Sequence, residues 1–433
     1  MITAADRVLA AADALADEAV AFACDLIRIP TVNPPGASYA ECAHFIGQTV
    51  SAFGYAVEYH TAADRPEHSH ANPRVNVVAT MPGGGAGPTL HLNGHIDVVP
   101  PGAGWTIDPF AGLVRDGCIW GRGAADMKGG LAAAVFACEA IRRAGVRPRA
   151  TIEISGTVDE ESGGLAGVAW LAARGRIASG RTDAVIIPEP LGVDRICAGH
   201  RGAYWFEVET RGRIAHGSMP FQGVSAIDHM SAILAHFNAE LRPRLAARTT
   251  DLPVIPEAAR HPTLNVNAIA GGQPVDGVQT PCVADRCRAV FDRRFLMEEG
   301  FDDAKDEILD LLRELAARTP GLDYDVRDLL IVHPTRTPPD SPVIAAVDRA
   351  IRRVLGRKGT IVLSPGTYDH KHVARIAGVP HCVAYGPGAL EQAHQPDERC
   401  SIADLLTSMR VLALAVLDLT GVNSAAPHLH GGE

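Results

Sequence analysis

The chain has 433 residues and a formal net charge of −10, from 40 Lys and Arg against 50 Asp and Glu. That acidic balance argues against a nucleic-acid or anionic-membrane partner, since each needs a basic face. A content of 47% hydrophobic and 21% charged residues describes a globular chain, not a disordered one, and the length suits two or three domains.

The first twenty residues hold Asp6, Asp13, Asp17 and Glu18 against a single Arg7, so no targeting segment is expected there. No apolar run approaches the ~20 residues that span a bilayer. The nine cysteines are scattered without a C-x-x-C pair, which predicts buried reduced thiols in a soluble cytoplasmic protein. Strands are predicted at 75–80, 89–98, 150–158 and 184–187, with helices at 131–143 and 165–173 between them. Strand–helix alternation predicts a mixed, mostly parallel sheet covered by helices. The middle reads as strand 203–210, helix 225–241, strands 264–269 and 288–295, helix 302–318 and strand 322–329. That β-α-β-β-α-β order predicts an inserted ferredoxin-like α+β domain, with 242–262 a Pro- and Arg-rich excursion. Strands at 360–363 and 381–385 and a helix at 402–419 return to the first style. The expected organisation is a catalytic domain in two parts, 1–199 and 331–433, around an insert at 200–330. The 424–433 tail, with His428 and His430, reads as a frayed terminus.

Five motifs carry chemistry. Asn93-Gly94-His95-Ile96-Asp97 ends a buried strand, where doubly wound sheets bind ligands, and strand alternation puts His95 and Asp97 on one side. Gly121-Arg122-Gly123 leads to Asp126 at a helix start, but it matches no phosphate loop, and Asp126 is either an N-cap or a ligand. Asp159-Glu160-Glu161 crowds three acids at a strand terminus, which is either a solvated turn or a cation site. Glu189 and His394 also follow strands. Together His95, Asp126, Glu161, Glu189 and His394 make an N/O donor set suited to zinc, cobalt or manganese. Five ligands fit a metal pair sharing a carboxylate better than a single ion.

These motifs, with Ala215-His216-Gly217-Ser218-Met219-Pro220 and Ala393-His394-Gln395-Pro396-Asp397-Glu398, follow one another in a family order. The chain resembles the dinuclear-zinc amidohydrolases and metallopeptidases that include acetylornithine deacetylase, succinyl-diaminopimelate desuccinylase, aminoacylase and glutamate carboxypeptidase, over about residues 21–419. The resemblance implies two divalent ions, most simply Zn2+, with Co2+ or Mn2+ as alternatives. It implies that His95 and Glu189 hold one ion, Glu161 and His394 the other, and that Asp126 bridges them. Asp97 would orient His95, Glu160 would be the general base, and His216 would steady the oxyanion. Arg294 would hold the substrate carboxylate, with Arg293 on the opposite strand face in solvent. The insert would be a lid and dimerisation surface in a homodimer. The substrate would be an N-acyl amino acid or similar small amide, with dipeptidase or carboxypeptidase as the runner-up and a non-catalytic scaffold behind both.

Two departures stand out. Pro281 takes the place of an asparagine that assists substrate binding in the family. In Gly366-Thr367-Tyr368-Asp369-His370-Lys371, Gly366 and Thr367 fit the family, whereas Tyr368, His370 and Lys371 are bulkier and more polar. A loop bordering substrate, with Gly366, Thr367, Tyr368 and His370 as contacts, implies unusual specificity; the alternative is that its extra polar groups face water.

Overall fold

The computed structural model describes residues 2–85, 89–273 and 281–422, so the 424–433 tail lies outside the described residues. The chain divides into two compact units. The first comprises Met1–Gly199, Thr337–Ile361 and Tyr368–Glu433, and the second His200–Arg336 with Val362–Thr367.

The first unit is built on a mixed sheet. Its strands run in the order Ala56–Thr61, Val75–Met81, Ile152–Thr157, Leu90–His95, Ala184–Ile187, Cys382–Ala384, Arg195–His200. The four strands from Ile152–Thr157 to Cys382–Ala384 are mutually parallel, and antiparallel pairs flank them. This is the mixed sheet with helices around it that the alternating pattern predicts. The strands Ala56–Thr61 and Arg195–His200 were not predicted; the first is a half-exposed edge without a clean apolar repeat.

Two central strands show how the sequence builds a site from a buried sheet. Leu90–His95 and Ile152–Thr157 are buried throughout, yet each alternates apolar and polar residues. Period-two geometry sends successive side chains to opposite faces. Gly94 therefore looks toward Leu131 of the helix Lys128–Arg143, while His91, Asn93 and His95 share the other face. The parallel register sets them beside Glu153, Ser155 and Thr157. The strand ends at His95, three residues earlier than predicted. Val98 N–H bonds to the Thr31 carbonyl, so the chain has turned out of the sheet before Pro100 and Pro101.

Lys128–Arg143 is buried along nearly its whole length, which its alanines allow. A Cβ on Gly130 would lie 1.9 Å from the Pro188 carbonyl oxygen, so only glycine lets this helix approach the segment carrying Glu189. Lys128 is buried, and its Nζ donates to the carbonyls of Leu26 (2.8 Å) and Ile29 (2.7 Å) at the end of helix Ala16–Arg28. Burial holds its pKa down to about 8. That lysine is a tie between helices, not a phosphate ligand. All nine cysteines are free thiols; Cys118 and Cys282 are half-buried and the others buried. Among the described residues, no helix is long and apolar enough to cross a membrane.

The second unit is a four-stranded antiparallel sheet in the order Thr263–Gly271, Arg286–Phe295, Gly202–Arg211, Asp323–Val332, with helices Ala226–His236 and Phe301–Arg318. This is the βαββαβ arrangement read from the sequence. The predicted helix 225–241 continues from Ala226–His236 through a wider turn at Phe237–Leu241, and the excursion after it begins with an unpredicted helical turn at Arg242–Ala247. Tyr204, Phe206 and Val208 alternate into the core, and Phe206 stacks on both Tyr204 and Phe291 at 4.9 Å between centroids. Arg293 corrects the solvent-facing expectation. It shares the inner face with Phe291 and Phe295, is fully buried, and is neutralised by Glu299 at 2.6 Å.

Phe206→Ala should cost about 3–5 kcal/mol of stability in the second unit, the usual cost of truncating a buried phenylalanine. Urea unfolding reads this. Metal stoichiometry should stay at the wild-type value, because both candidate ligand groups lie in the first unit.

Candidate metal centre

The carboxyl ends of the four parallel strands and the turns after them converge on one cluster, as expected where ligands bind such sheets. His95 closes its strand, the acidic turn 159–161 follows Ile152–Thr157, Glu189 follows Ala184–Ile187, and His394 comes after Cys382–Ala384. Asp126 arrives from a different element. It lies in the loop between a small hairpin, Leu113–Arg115 with Cys118–Trp120, and helix Lys128–Arg143. Its side chain caps no helix, since the helix N-cap is Met127 with no side-chain bond.

The structure brings five of the sequence-derived candidates together in two overlapping groups. His95, Asp126 and Glu189 form one; Asp126, Glu161 and His394 form the other; within each, one ligand atom per residue lies within 4.8 Å of the others. Asp126 Oδ1 is 3.1 Å from His95 Nε2, and its Oδ2 is 3.5 Å from His394 Nε2. His394 Nε2 is also 3.1 Å from Glu161. His95 Nδ1 lies 2.9 Å from the Asp97 carbonyl and 3.5 Å from its carboxylate, although Asp97 sits beyond the strand end.

Charge explains why this cluster wants a cation. Burial pushes Glu161 up to about 7, with the Asp126 carboxylate adding to the effect. Burial and then Asp126 also hold Glu189 well above the usual carboxylate range. His394, hydrogen-bonded to Asp126 and Glu161, rises to about 10. Glu189 is buried beside His95 and Asp126. Burying a carboxylate next to another is costly unless something positive compensates it. Two imidazoles and three carboxylates are the N/O donors that zinc-like ions take. The donor set therefore fits a pair of divalent ions sharing Asp126.

Neighbouring side chains hold the segments that carry these candidates in place. The Asp97 carboxylate accepts from Asn33 Nδ2 (2.9 Å) and from the backbone N–H of Glu160 and Glu161 (3.1 Å each). Asp159 adopts a left-handed conformation at the start of the acidic turn and is gripped by Arg74 (3.0 Å) and the Tyr39 hydroxyl (2.9 Å). Asn33, Tyr39 and Arg74 were not singled out in the sequence; each lies far along the chain from its partner and outside any local motif. Glu160 stands outside both ligand groups. Its Oε1 accepts from Lys371 Nζ at 2.8 Å.

The 366–371 segment does not turn its polar groups to water. Tyr368, His370 and Lys371 are all buried. The Tyr368 hydroxyl lies 3.5 Å from the Cys197 carbonyl and His370 Nε2 lies 3.4 Å from Thr337 Oγ1, so both side chains pack into the first unit. Burial holds His370 down to about 3, keeping its ring neutral. The member that reaches the acidic turn is Lys371.

The remaining candidates belong to the second unit. His216 is exposed, and its Nδ1 accepts from Ser218 N–H at 3.1 Å. That bond places the ring proton on Nε2 as an outward donor. Pro281, in place of the family asparagine, accepts from Gly217 N–H at 2.6 Å and so braces the same turn. Arg294 uses Nε and Nη2 to hold Asp292 at 2.7 and 3.0 Å, leaving Nη1. Gly366 and Thr367 are half-buried, and Gly366 N–H bonds to Ser364 Oγ at 3.1 Å.

Known proteins resemble this chain along most of its length. A succinyl-diaminopimelate desuccinylase of Leptothrix cholodnii is 32% identical, with 88% of this chain and 93% of the relative covered. An acetylornithine deacetylase of Proteus mirabilis is also 32% identical, covering 87% and 90%. The solved structure of a dipeptidase from Saccharomyces cerevisiae shares the fold with a TM-score of 0.79 at 17% identity, over 97% of this chain and 99% of that one. The family model described as peptidase family M20/M25/M40 matches residues 91–418. The chain therefore belongs to peptidase family M20/M25/M40 and is a hydrolase of amide bonds.

Proposed function

We propose that the protein removes the acyl group from an N-acyl amino acid or a related small amide bearing a carboxylate. The observation that carries this reading is the sharing of Asp126 between two ligand groups, with a further carboxylate, Glu160, beside them but outside both. The desuccinylase and deacetylase relatives support the substrate class.

His95 and Glu189 would hold one ion, Glu161 and His394 the other, and Asp126 would serve both. The ions are zinc, with cobalt or manganese able to substitute. When bound they polarise the amide carbonyl and acidify water. The Asp97 carbonyl fixes the His95 tautomer by accepting a hydrogen bond from Nδ1–H. Glu160 accepts a proton from the attacking water and returns it to the leaving nitrogen. Because Lys371 occupies Oε1, Oε2 is the oxygen that carries the proton. His216 Nε2–H donates to the developing oxyanion. Arg294 Nη1 engages the substrate carboxylate, and Gly366 and Thr367 line the acyl group. Tyr368 and His370, buried in the first unit, border the substrate only indirectly by anchoring the chain that carries Lys371. The second unit is the lid and the surface of a cytoplasmic homodimer.

Chelation should abolish turnover, and zinc or cobalt should restore it; full activity in protein shown to be metal-free would refute the reading. Glu160→Gln should lower kcat by roughly 10²–10⁴-fold, the range for a lost general acid–base. Two ions should remain bound by elemental analysis; loss of metal would make Glu160 a ligand instead. Substrate class is read on a panel of N-acetyl, N-succinyl, N-formyl and N-carbamoyl amino acids with dipeptides alongside. On the best of these, Arg294→Ala should raise KM by about 10–100-fold, the worth of a charged hydrogen bond. An equal effect on the carboxyl-amidated analogue rejects the Arg294 assignment.

A further inference from the structure

The loop that carries Asp126 is folded around a side chain from the segment that carries His394. Glu398 is fully buried. Its Oε1 accepts three backbone N–H bonds, from Gly123 (3.0 Å), Ala125 (2.9 Å) and Asp126 (3.1 Å). Its Oε2 pairs with the buried guanidinium of Arg122. Arg122 in turn donates to the carbonyls of Gln395 (3.3 Å) and Pro101 (3.2 Å), joining the loop after the His95 strand. The Glu398 carbonyl accepts from Gly121 N–H at 2.9 Å, where Arg399 begins an antiparallel pairing with Trp120. Between these ties, His394 and Asp397 both hold left-handed backbone angles, with φ of 63° and 57°. Such angles are unfavourable for residues other than glycine, so the surroundings must impose the conformation. Asp397 contributes by accepting from the Thr106 N–H and hydroxyl, both at 2.9 Å.

We infer that Glu398 is a positioning residue for the metal pair: one buried carboxylate gathers the N–H groups of the Asp126 loop and so sets Asp126 against His394 before any ion arrives. It touches neither ion nor substrate. Three N–H bonds to one oxygen orient the peptide that bears Asp126, and the same residue follows His394 by four positions. The spacing between the two ligand groups is thus built into the apoprotein. This inference rests on the metal-centre reading but not on the identity of the substrate.

Glu398→Gln keeps the shape and removes the charge, setting an amide N–H₂ against a set of donors. It should weaken binding of at least one ion by about 10–100-fold, the usual effect of losing a residue that orients a ligand, in a calorimetric titration with zinc. It should also alter the visible absorption of the dicobalt form. Wild-type affinities with an unchanged cobalt spectrum would overturn the inference. Wild-type protein gives a second test that needs no variant. In metal-free protein the amides of Gly123, Ala125 and Asp126 should already exchange slowly, and protection appearing only on adding zinc would equally overturn it. Neither readout involves substrate. A protein that binds two ions with these properties but cleaves no amide would refute the proposed function and leave this inference standing.

Discussion

One carboxylate placed between two imidazoles governs the first unit. Asp126 meets His95 with one oxygen and His394 with the other, so any movement of its loop disturbs both ligand groups at once. The cluster it joins holds more negative charge than a protein interior tolerates unaided. Burial raises Glu161 and Glu189, and Asp126 pushes them further. Metal coordination requires the carboxylates ionised and the imidazoles neutral. The surrounding fold therefore has to hold groups close together against their mutual repulsion.

It does so in part by giving the acids that flank the cluster buried partners of their own. Asp97 is satisfied by Asn33 and two backbone N–H groups. Although burial opposes it most strongly, the His95 ring and these donors hold its carboxyl below the ordinary value. Asp159, in a conformation unfavourable for a non-glycine residue, is clamped by Arg74 and Tyr39. Each partner acts on a residue one or two positions from a proposed ligand or from Glu160. Removing one would leave a buried charge unpaired, which is far more damaging than losing the net worth of a surface pair.

This explains what the sequence displayed and what it hid. Most ligand candidates were legible because they fall at or soon after a strand end in a contiguous motif: Gly94-His95, Glu160-Glu161, Pro188-Glu189; Asp126 stood out instead through the glycine-rich run that precedes its helix. The βαββαβ insert was legible because its alternation and helical stripes are local patterns. The supporting residues were not, because their partners are remote; Tyr39 lies 120 positions from Asp159 and Asn33 lies 64 from Asp97. The hairpin leading to Asp126 did carry a signal that went unread. Asp116-Gly117 joins its two strands with positive φ at both residues, the turn that Asp-Gly favours. Arg293 was misplaced for a different reason. Strand alternation puts it with Phe291 and Phe295, but a charge looked out of place in a core until Glu299 supplied its partner.

The same alternation gives the central sheet a polar side that ends at the chemistry. His91 contacts Glu153 and Ser155, Ser155 donates to Asn93, and Asn93 donates to Asp369. Asp369 begins the turn into helix His370–Arg375, which sends Lys371 to Glu160 and His372 to the Gly163 carbonyl at 2.7 Å. A wholly apolar strand face could bury as much area but could not fix that helix in rotation and height, since hydrophobic contact is non-directional. Hydrogen bonds can, because their geometry is narrow. A buried polar stripe is thus the means by which the sheet specifies where Lys371 stands. The bulky residues of this segment fit that demand: Tyr368 and His370 anchor it in the core so that one long cation reaches the acidic turn.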